Sequence, residues 1–244
     1  MTGNGERKGD NRAARVAVDG PVASGKSTIG RYLAHELGYL YLDTGAMYRG
    51  VTALAIDRAV DVHDEAAVTA LAQQVQLDFP ALNSADVVNP PLLADGVDIT
   101  KELRSPEVDR LVSQVSSYAG VRAAMVAQQR AIAARRSLVM VGRDIGTEVL
   151  PHADVKIFLT ASVEDRAQRR YQERRAAGLE VGLDETLEDL RRRDRLDSER
   201  PISPLRPAED AIPVDTTGYE SEQSLALVLG IVRNRLAALQ LLQV

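Results

Sequence analysis

Residues with the spacing of a phosphate-binding loop stand near the start of the chain. Gly20, four further residues, then Gly25, Lys26 and Ser27 follow an apolar run that begins at Val16. Glycines let successive backbone N–H groups turn toward a polyphosphate, and a helix that begins here presents its positive end to the same anion. The spacing predicts a P-loop in which Lys26 reaches the β- and γ-phosphates and Ser27 holds Mg²⁺.

Two further positions place charge where an anion could bind. Arg49 lies near the N-terminal end of a helix predicted after Asp43, where a cation is unfavourable unless an anion is also present. An ordinary surface arginine explains that segment alone equally well. Arg143 and Asp144 directly follow the apolar run 138–141, and charged residues at the carboxyl end of a buried parallel strand indicate a site.

An arginine-rich segment lies between residues 166 and 206. Within it, Arg193, Asp197 and Arg200 have the i, i+4, i+7 spacing that puts them on one helical face. Such a pattern usually marks a solvated, ion-paired surface, and that alternative would prevail without other information. Because arginines outnumber acidic residues across the segment, however, an external anion is a plausible missing partner.

The elements that must position these residues alternate along the chain. Helical patterns separate five short apolar runs, which we interpret as strands that begin at Val16, Tyr39, Leu138, Val155 and Ile212. This alternation predicts the α/β class, with a doubly wound parallel sheet of five strands and flanking helices. Residues 61–104 differ in character, since an Asp-Gly turn within 92–99 predicts a hairpin and therefore a small β-containing insertion.

Composition limits the classes of function. The chain has 244 residues, 45% of them hydrophobic, and a net charge of −5, which argues against a surface built to bind nucleic acid or an anionic membrane. It has no cysteine, so disulfides, thiolate metal sites and cysteine nucleophiles are excluded, and its three histidines are scattered. We expect a polar, disordered tail at 1–14, no membrane span and a cytoplasmic location.

Seven segments together resemble the bacterial cytidylate kinases, a family of nucleoside monophosphate kinases, and the similarity covers residues from 16 to the end. They are DGPVASGKST, LDTGAMYR, SQVSSYAGVR, VGRDIGT, VKIFLTAS, RRDRLDSERPISPL and DAIPVDTT. The resemblance implies a P-loop kinase core at 15–60 and 105–244, an arginine-rich lid at about 166–206, and a monophosphate-binding insertion at 61–104.

The same resemblance implies roles for individual residues. ATP would bind the P-loop residues Gly20, Pro21, Val22, Ala23, Ser24, Gly25, Lys26, Ser27 and Thr28. The acceptor phosphate of CMP or dCMP would contact Arg49, Arg143, Arg193 and Arg200, in a pocket lined by Thr44 and Tyr48. The cytosine contacts fall on Ser113, Arg122 and Asp144, and the sugar contact on Asp197.

The resemblance also implies the chemistry. Lys26, Arg143, Arg193 and Arg200 would neutralise charge during in-line transfer of the ATP γ-phosphoryl group, with Mg²⁺ bound at Ser27. Among the closely spaced arginines after residue 165, we choose Arg170 as the one that contacts ATP, because neighbours on a helix cannot all point at one ligand. We expect a monomer whose partners are ATP and the acceptor nucleotide.

Other functions remain open from the residues alone. A GTPase would carry an Asn-Lys-x-Asp motif, and no Asn-Lys pair occurs in the chain. A P-loop kinase for UMP, AMP or shikimate, a non-enzymatic nucleotide switch, and a nucleic-acid binder that uses the arginines are the alternatives.

Overall fold

The computed structural model describes residues 12–80 and 91–242. These residues form eight strands and eight α-helices in the order β1 (Arg15–Asp19), α1 (Lys26–Leu37), β2 (Leu40–Asp43), α2 (Thr44–Asp57), α3 (Glu65–Gln74), β3 (Leu77–Asp78), β4 (Leu93–Ala94), β5 (Val97–Asp98), α4 (Pro106–Val115), α5 (Ala119–Ala133), β6 (Leu138–Gly142), β7 (Val155–Thr160), α6 (Val163–Ala176), α7 (Leu183–Glu199), β8 (Ile212–Asp215) and α8 (Ser221–Ala238).

A five-stranded parallel sheet forms the centre of the fold, as the sequence predicts. Its strand order is β2-β6-β1-β7-β8, and every neighbouring pair is parallel. Asp19, the last residue of β1, pairs in register with Gly142 of β6 and Phe158 of β7. The carboxyl ends of these strands therefore meet at one edge of the sheet, where the P-loop and the segment after β6 emerge side by side.

Two apolar clusters cover the faces of this sheet. On one face, α1 and α8 bury Leu33 and Val232 against β1, β6 and β7. On the other, α2 and α5 bury Met47 and Met125, and this cluster continues into Leu77 of the insertion. The insertion consequently packs on the same core as the helix that carries Arg49.

The segment 61–104 contains α3, a short 3₁₀ helix at Glu102–Arg104 and a small antiparallel sheet of order β3-β4-β5. The predicted hairpin is confirmed, since Asp95 and Gly96 join β4 to β5 with φ values of 51° and 84°. Part of the proline-containing loop expected before it, residues 81–90, lies outside the described residues.

The expected disordered tail falls largely outside the described residues, which begin at 12. Residues 12–14 are attached to the core, so for them the expectation is wrong. Ala14 is buried and its N–H donates to Ser137 Oγ at 2.9 Å, while Arg12 pairs with Asp154 at 2.5 Å. Polar composition alone did not reveal these contacts, because both partners lie more than 100 residues away in sequence.

The arginine-rich segment forms the helix pair α6 and α7, which pack against each other. Ser162 caps α6 by accepting the N–H of Asp165 at 3.2 Å. Gly178, in the left-handed region at φ 78°, follows the end of α6. In the described part of the chain, no helix has the length and apolar character that a membrane span requires.

Two helical glycines test this packing in opposite directions. A Cβ on Gly30 of α1 would lie 2.4 Å from Val141 Cγ1 and 3.0 Å from Tyr41 Cε2, so Gly30→Ala is expected to lower the free energy of unfolding by about 1–3 kcal/mol. Gly230 of α8 meets nothing within 4 Å, so Gly230→Ala should raise it by about 0.5–1 kcal/mol. Urea titrations measure both; equal effects would contradict the packing of α1.

Candidate active site

The P-loop leaves β1 through a backbone conformation that only glycine tolerates. A Cβ on Gly20, whose φ is 152°, would lie 2.0 Å from the carbonyl oxygen of Leu159 in β7. Gly25, at φ 89°, precedes the first residue of α1. The glycines thus let the loop pass close to the sheet and turn at once into the helix, which leaves backbone N–H groups at the helix start available to an anion.

Lys26 is the first residue of α1, and its side chain reaches back into the P-loop that precedes it. Its Nζ donates to the carbonyl oxygen of Pro21 at 2.5 Å and to Ser24 Oγ at 3.3 Å. Burial, together with the nearby Arg143 guanidinium, lowers the pKa of Lys26 well below its ordinary value. An anionic ligand in the loop would oppose both effects and raise this pKa.

Ser27 contacts a carboxylate that the sequence analysis left without a role. Its Oγ donates to Asp43 Oδ2 at 3.2 Å, and Tyr41 OH donates to the same oxygen at 3.2 Å. The other oxygen of Asp43 accepts the N–H of Gly45 at 2.9 Å and so caps α2. A hydroxyl beside a carboxylate provides the hard oxygen atoms that Mg²⁺ prefers.

Beside the loop, a buried carboxylate lies between two guanidinium groups. Asp144, which is 5% exposed, accepts a hydrogen bond from Arg122 and forms an ion pair with Arg200 at 3.5 Å. Among the described residues, Arg122 Nε and Arg200 Nη2 have no hydrogen-bond partner although both atoms are buried. Buried donors are nearly always satisfied, so Arg122 Nε, together with Arg200 Nη2 beyond its 3.5 Å ion pair with Asp144, indicates a place where a ligand accepts.

Tyr48 and Thr44 of α2 border this cluster. The Arg122 guanidinium lies over the Tyr48 ring, 5.6 Å from its centroid, and burial raises the pKa of the Tyr48 hydroxyl to about 12, so it stays protonated. Thr44 is buried, and its hydroxyl donates to the carbonyl oxygen of Val141 at 2.9 Å. Thr44 therefore ties the start of α2 to the strand that precedes Arg143.

Arg143 connects the sheet to α7. Its Nε donates to Asp197 Oδ2 at 2.8 Å, and both side chains are about one quarter exposed. Asp197 lies on α7, so this pair brings the helical face predicted from Arg193, Asp197 and Arg200 toward the carboxyl end of β6. The alternative of a purely solvated helix surface is wrong for Asp197 and Arg200, which pair with Arg143 and the buried Asp144.

Three predicted residues lie apart from this cluster. Arg49 binds Asp109 at 2.6 Å and the carbonyl oxygen of Leu103 at 3.1 Å, while Arg193 binds Asp189 at 3.2 Å. Ser113 and Arg193 line a cleft of about 830 Å³ between α4 and α7. Arg49 and Arg193 are thus each held by a carboxylate of the protein, which an acceptor phosphate would have to replace.

The arginines of α6 differ in their partners. Arg166 binds Asp194, Arg169 donates to the carbonyl oxygen of Thr216 at 2.8 Å, and Arg174 contacts Asp189 at 3.4 Å. Arg170, one third exposed, pairs with Glu173 one turn along its own helix at 3.2 Å. Its contact with ATP stays a prediction, and Arg170 is held less firmly than Arg166.

Asp19 is a buried acidic residue that the sequence analysis missed. It is 5% exposed and accepts the N–H groups of Ile145 and Gly146 at 2.8 and 2.7 Å. Burial raises its pKa to about 6, against the lowering effect of those two hydrogen bonds. Its position at the carboxyl end of an apolar strand was the available signal, the same one that identified Arg143 and Asp144.

Known proteins resemble the chain over most of its length. A family model described as Cytidylate kinase matches residues 16–234. A protein named cytidylate kinase from Bacillus velezensis is 44% identical over 220 residues, which cover 90% of this chain and 96% of the relative. Another of that name, from Geobacillus kaustophilus, is 45% identical over 225 residues, with 92% and 99% covered.

The raised pKa of Asp19 predicts how stability depends on pH. Because the pKa is about 6 in the folded protein and 3.8 ordinarily, the native state holds this proton more tightly than the unfolded chain does. The free energy of unfolding should therefore fall as pH rises from 4 to 6, by about 2 kcal/mol relative to Asp19→Asn. Denaturant titrations of both proteins at several pH values measure this difference; a constant difference would contradict the buried, ionisable state.

Proposed function

The chain belongs to the cytidylate kinase family, and we propose that it transfers the γ-phosphoryl group of ATP to CMP or dCMP, forming CDP or dCDP, in pyrimidine nucleotide metabolism. The observation that carries this proposal for the present chain is the buried cluster of Asp144, Arg122 and Arg200 beside the P-loop. It combines one carboxylate acceptor with two guanidinium donors that still have unsatisfied atoms.

That set of groups complements cytosine. The amino group at N4 would donate to Asp144, and the acceptors at N3 and O2 would receive hydrogen bonds from Arg122 and from Ser113, which lies apart from the cluster and would have to approach the base. Uracil has an acceptor at position 4 and a donor at N3, so it would leave buried groups unpaired, at a cost of about 1–3 kcal/mol per group. Selectivity for CMP over UMP then follows from polar mismatch.

The acceptor phosphate would be held by four arginines, Arg49, Arg143, Arg193 and Arg200. A sugar hydroxyl would bind Asp197. Three guanidinium groups, those of Arg143, Arg122 and Arg200, form ion pairs with two carboxylates, those of Asp144 and Asp197. This set of five side chains has one positive charge in excess, which favours an anionic ligand. Arg49 and Arg193 would exchange Asp109 and Asp189 for the phosphate as the lid approaches. Thr44 and Tyr48 would line this part of the pocket.

ATP would bind residues 20–28 of the P-loop, with Arg170 as its lid contact. Its magnesium ion fits Ser27, whose hydroxyl faces Asp43, and no cluster of three or more acidic or histidine residues that could hold a metal occurs in the described ranges. The ion would be held by Ser27 and the phosphates of ATP, where it would offset phosphate charge.

The chemistry needs no strong general base, because the attacking phosphate oxygen of CMP is already anionic. Lys26, Arg143, Arg193 and Arg200 would align the two phosphates in line and neutralise the charge that spreads over the transferred group. Closure of α6 and α7 over the site would exclude water and so favour transfer over hydrolysis.

The domain assignment follows from the same proposal. We assign the kinase core to 15–60 and 105–244, the lid to about 166–206, and CMP binding to the insertion at 61–104. The enzyme would act as a monomer on free nucleotides in the cytoplasm, without nucleic acid or membrane as partners, consistent with its net charge of −5.

A coupled ADP-release assay across CMP, dCMP, UMP, AMP and shikimate tests this function, with direct detection of CDP. CMP or dCMP should have the highest kcat/KM. Turnover of UMP or AMP equal to that of CMP would overturn the acceptor assignment, and ATP binding without CDP formation would favour a nucleotide switch.

Asp144→Asn tests the base contact. An amide can donate to uracil O4, so the variant should lose about tenfold or more in kcat/KM for CMP and narrow the gap to UMP. Asp109→Asn serves as the control, because its carboxylate contacts the phosphate-binding Arg49 rather than the base cluster. That control should change CMP and UMP kinetics by the same factor; unchanged selectivity in Asp144→Asn would remove Asp144 from base recognition.

A further inference from the structure

We propose that Arg166 is a positioning residue that joins the P-loop to the lid helix α7 and so couples the ATP side of the site to the CMP side. This inference rests on the proposed function, since it concerns how the two substrates are aligned. It removes Arg166 from the group of lid arginines that could contact ATP directly.

Arg166 reaches three separate parts of the chain. Its Nη1 donates to the carbonyl oxygen of Val22 in the P-loop at 3.1 Å, and its Nε to that of Ala161 after β7 at 3.0 Å. With both Nη atoms it forms a two-pronged pair with Asp194 of α7, at 3.1 and 2.7 Å. All three of its nitrogen atoms are therefore engaged.

The partner on α7 lies among the acceptor-side residues. Asp194 follows Arg193 directly and precedes Asp197 by three residues, so it shares the helical segment that presents both side chains. Fixing Asp194 therefore fixes where α7 holds Arg193 and Asp197. Because Arg166 also bonds Val22, it holds Arg193 and Asp197 at a fixed position relative to the P-loop, which would bind ATP.

The partner in the P-loop is equally placed to transmit a change. Val22 precedes Ala23, which has a positive φ of 58°, so the peptide between them adjoins a residue in the left-handed region. The bond from Arg166 to Val22 holds this peptide's carbonyl group in one direction. Rotation of the peptide would break that bond.

The ion pair between Arg166 and Asp194 is largely shielded from water, which strengthens it. The Arg166 side chain is 6% exposed and that of Asp194 is 24% exposed. A guanidinium in that setting is stabilised by a planar, two-pronged partner, and a lysine cannot bond Val22 and both oxygens of Asp194 together. Two other ion pairs join α6 to α7, the exposed pair of Arg191 with Glu164 and the half-buried pair of Arg174 with Asp189, and neither includes a P-loop residue.

Arg169, three residues further along α6, provides a matched comparison. It is also tied to the core, through Thr216 after β8, but none of its recorded bonds reaches the P-loop or α7. Arg166→Lys and Arg169→Lys are therefore the same chemical change on the same helix, and they differ in whether the connection between the two substrate sites is lost.

Steady-state kinetics with ATP and CMP varied separately test the coupling, with Arg166→Lys, Asp194→Asn, the double variant and Arg169→Lys. We expect Arg166→Lys and Asp194→Asn each to lower kcat by about tenfold, the double variant to be no worse than either within about twofold, and Arg169→Lys to stay within about twofold of wild type. Additive losses, or equal losses in both lysine variants, would overturn the proposal.

Equilibrium binding of a fluorescent ATP analogue, without CMP, gives a readout that does not depend on turnover. Asp194 lies on α7, away from the P-loop. If it acts through Arg166, Asp194→Asn should raise the Kd of the analogue by about threefold or more, and adding this change to Arg166→Lys should raise the Kd no further. Unchanged affinity in Asp194→Asn would contradict the coupling. A wild-type protein that forms no CDP would instead refute the proposed function, while this binding test would still decide the role of Arg166.

Discussion

The site depends on one buried carboxylate between two guanidinium groups. Desolvating Asp144, Arg122 and Arg200 has a cost that a good arrangement of opposite charges offsets. The offset is incomplete, because Arg122 Nε and Arg200 Nη2 make no hydrogen bond and positive charge is in excess. The cluster is therefore stable enough to exist in the folded protein and incomplete enough to favour a polar, anionic ligand. A nucleoside monophosphate meets both requirements.

The rest of the fold holds that cluster beside the ATP loop. Asp19, at the end of β1, accepts the two N–H groups that follow Asp144, so the same strand that leads into the P-loop also fixes the chain after β6. Thr44 ties α2 to the end of β6, and Arg143 ties that end to α7. Adjacent parallel strands thus place the P-loop and the cluster of Asp144, Arg122 and Arg200 side by side.

The sequence was sufficient for features that depend on local pattern. The P-loop, the five apolar strands and the Asp95-Gly96 hairpin follow from spacing, periodicity and turn chemistry, all of which act over a few residues. The ion-pair partners of the charged residues could not be predicted from such local patterns. Arg143 with Asp197 and Arg166 with Asp194 are 54 and 28 residues apart, so their pairing depends on how α6 and α7 pack on the sheet.

Resemblance to the cytidylate kinases supplied the candidate contacts that pattern alone left open, but not their state in the free protein. Arg49 and Arg193 are held by Asp109 and Asp189, so under the proposed function substrate binding would exchange one set of ion pairs for another. A crystal structure with CMP and a non-hydrolysable ATP analogue is the most direct test. The account predicts Asp144 within hydrogen-bond distance of the cytosine amino group and Arg193 moved from Asp189 to the phosphate. Cytosine bound elsewhere, with Asp144 still contacting only Arg122 and Arg200, would contradict it.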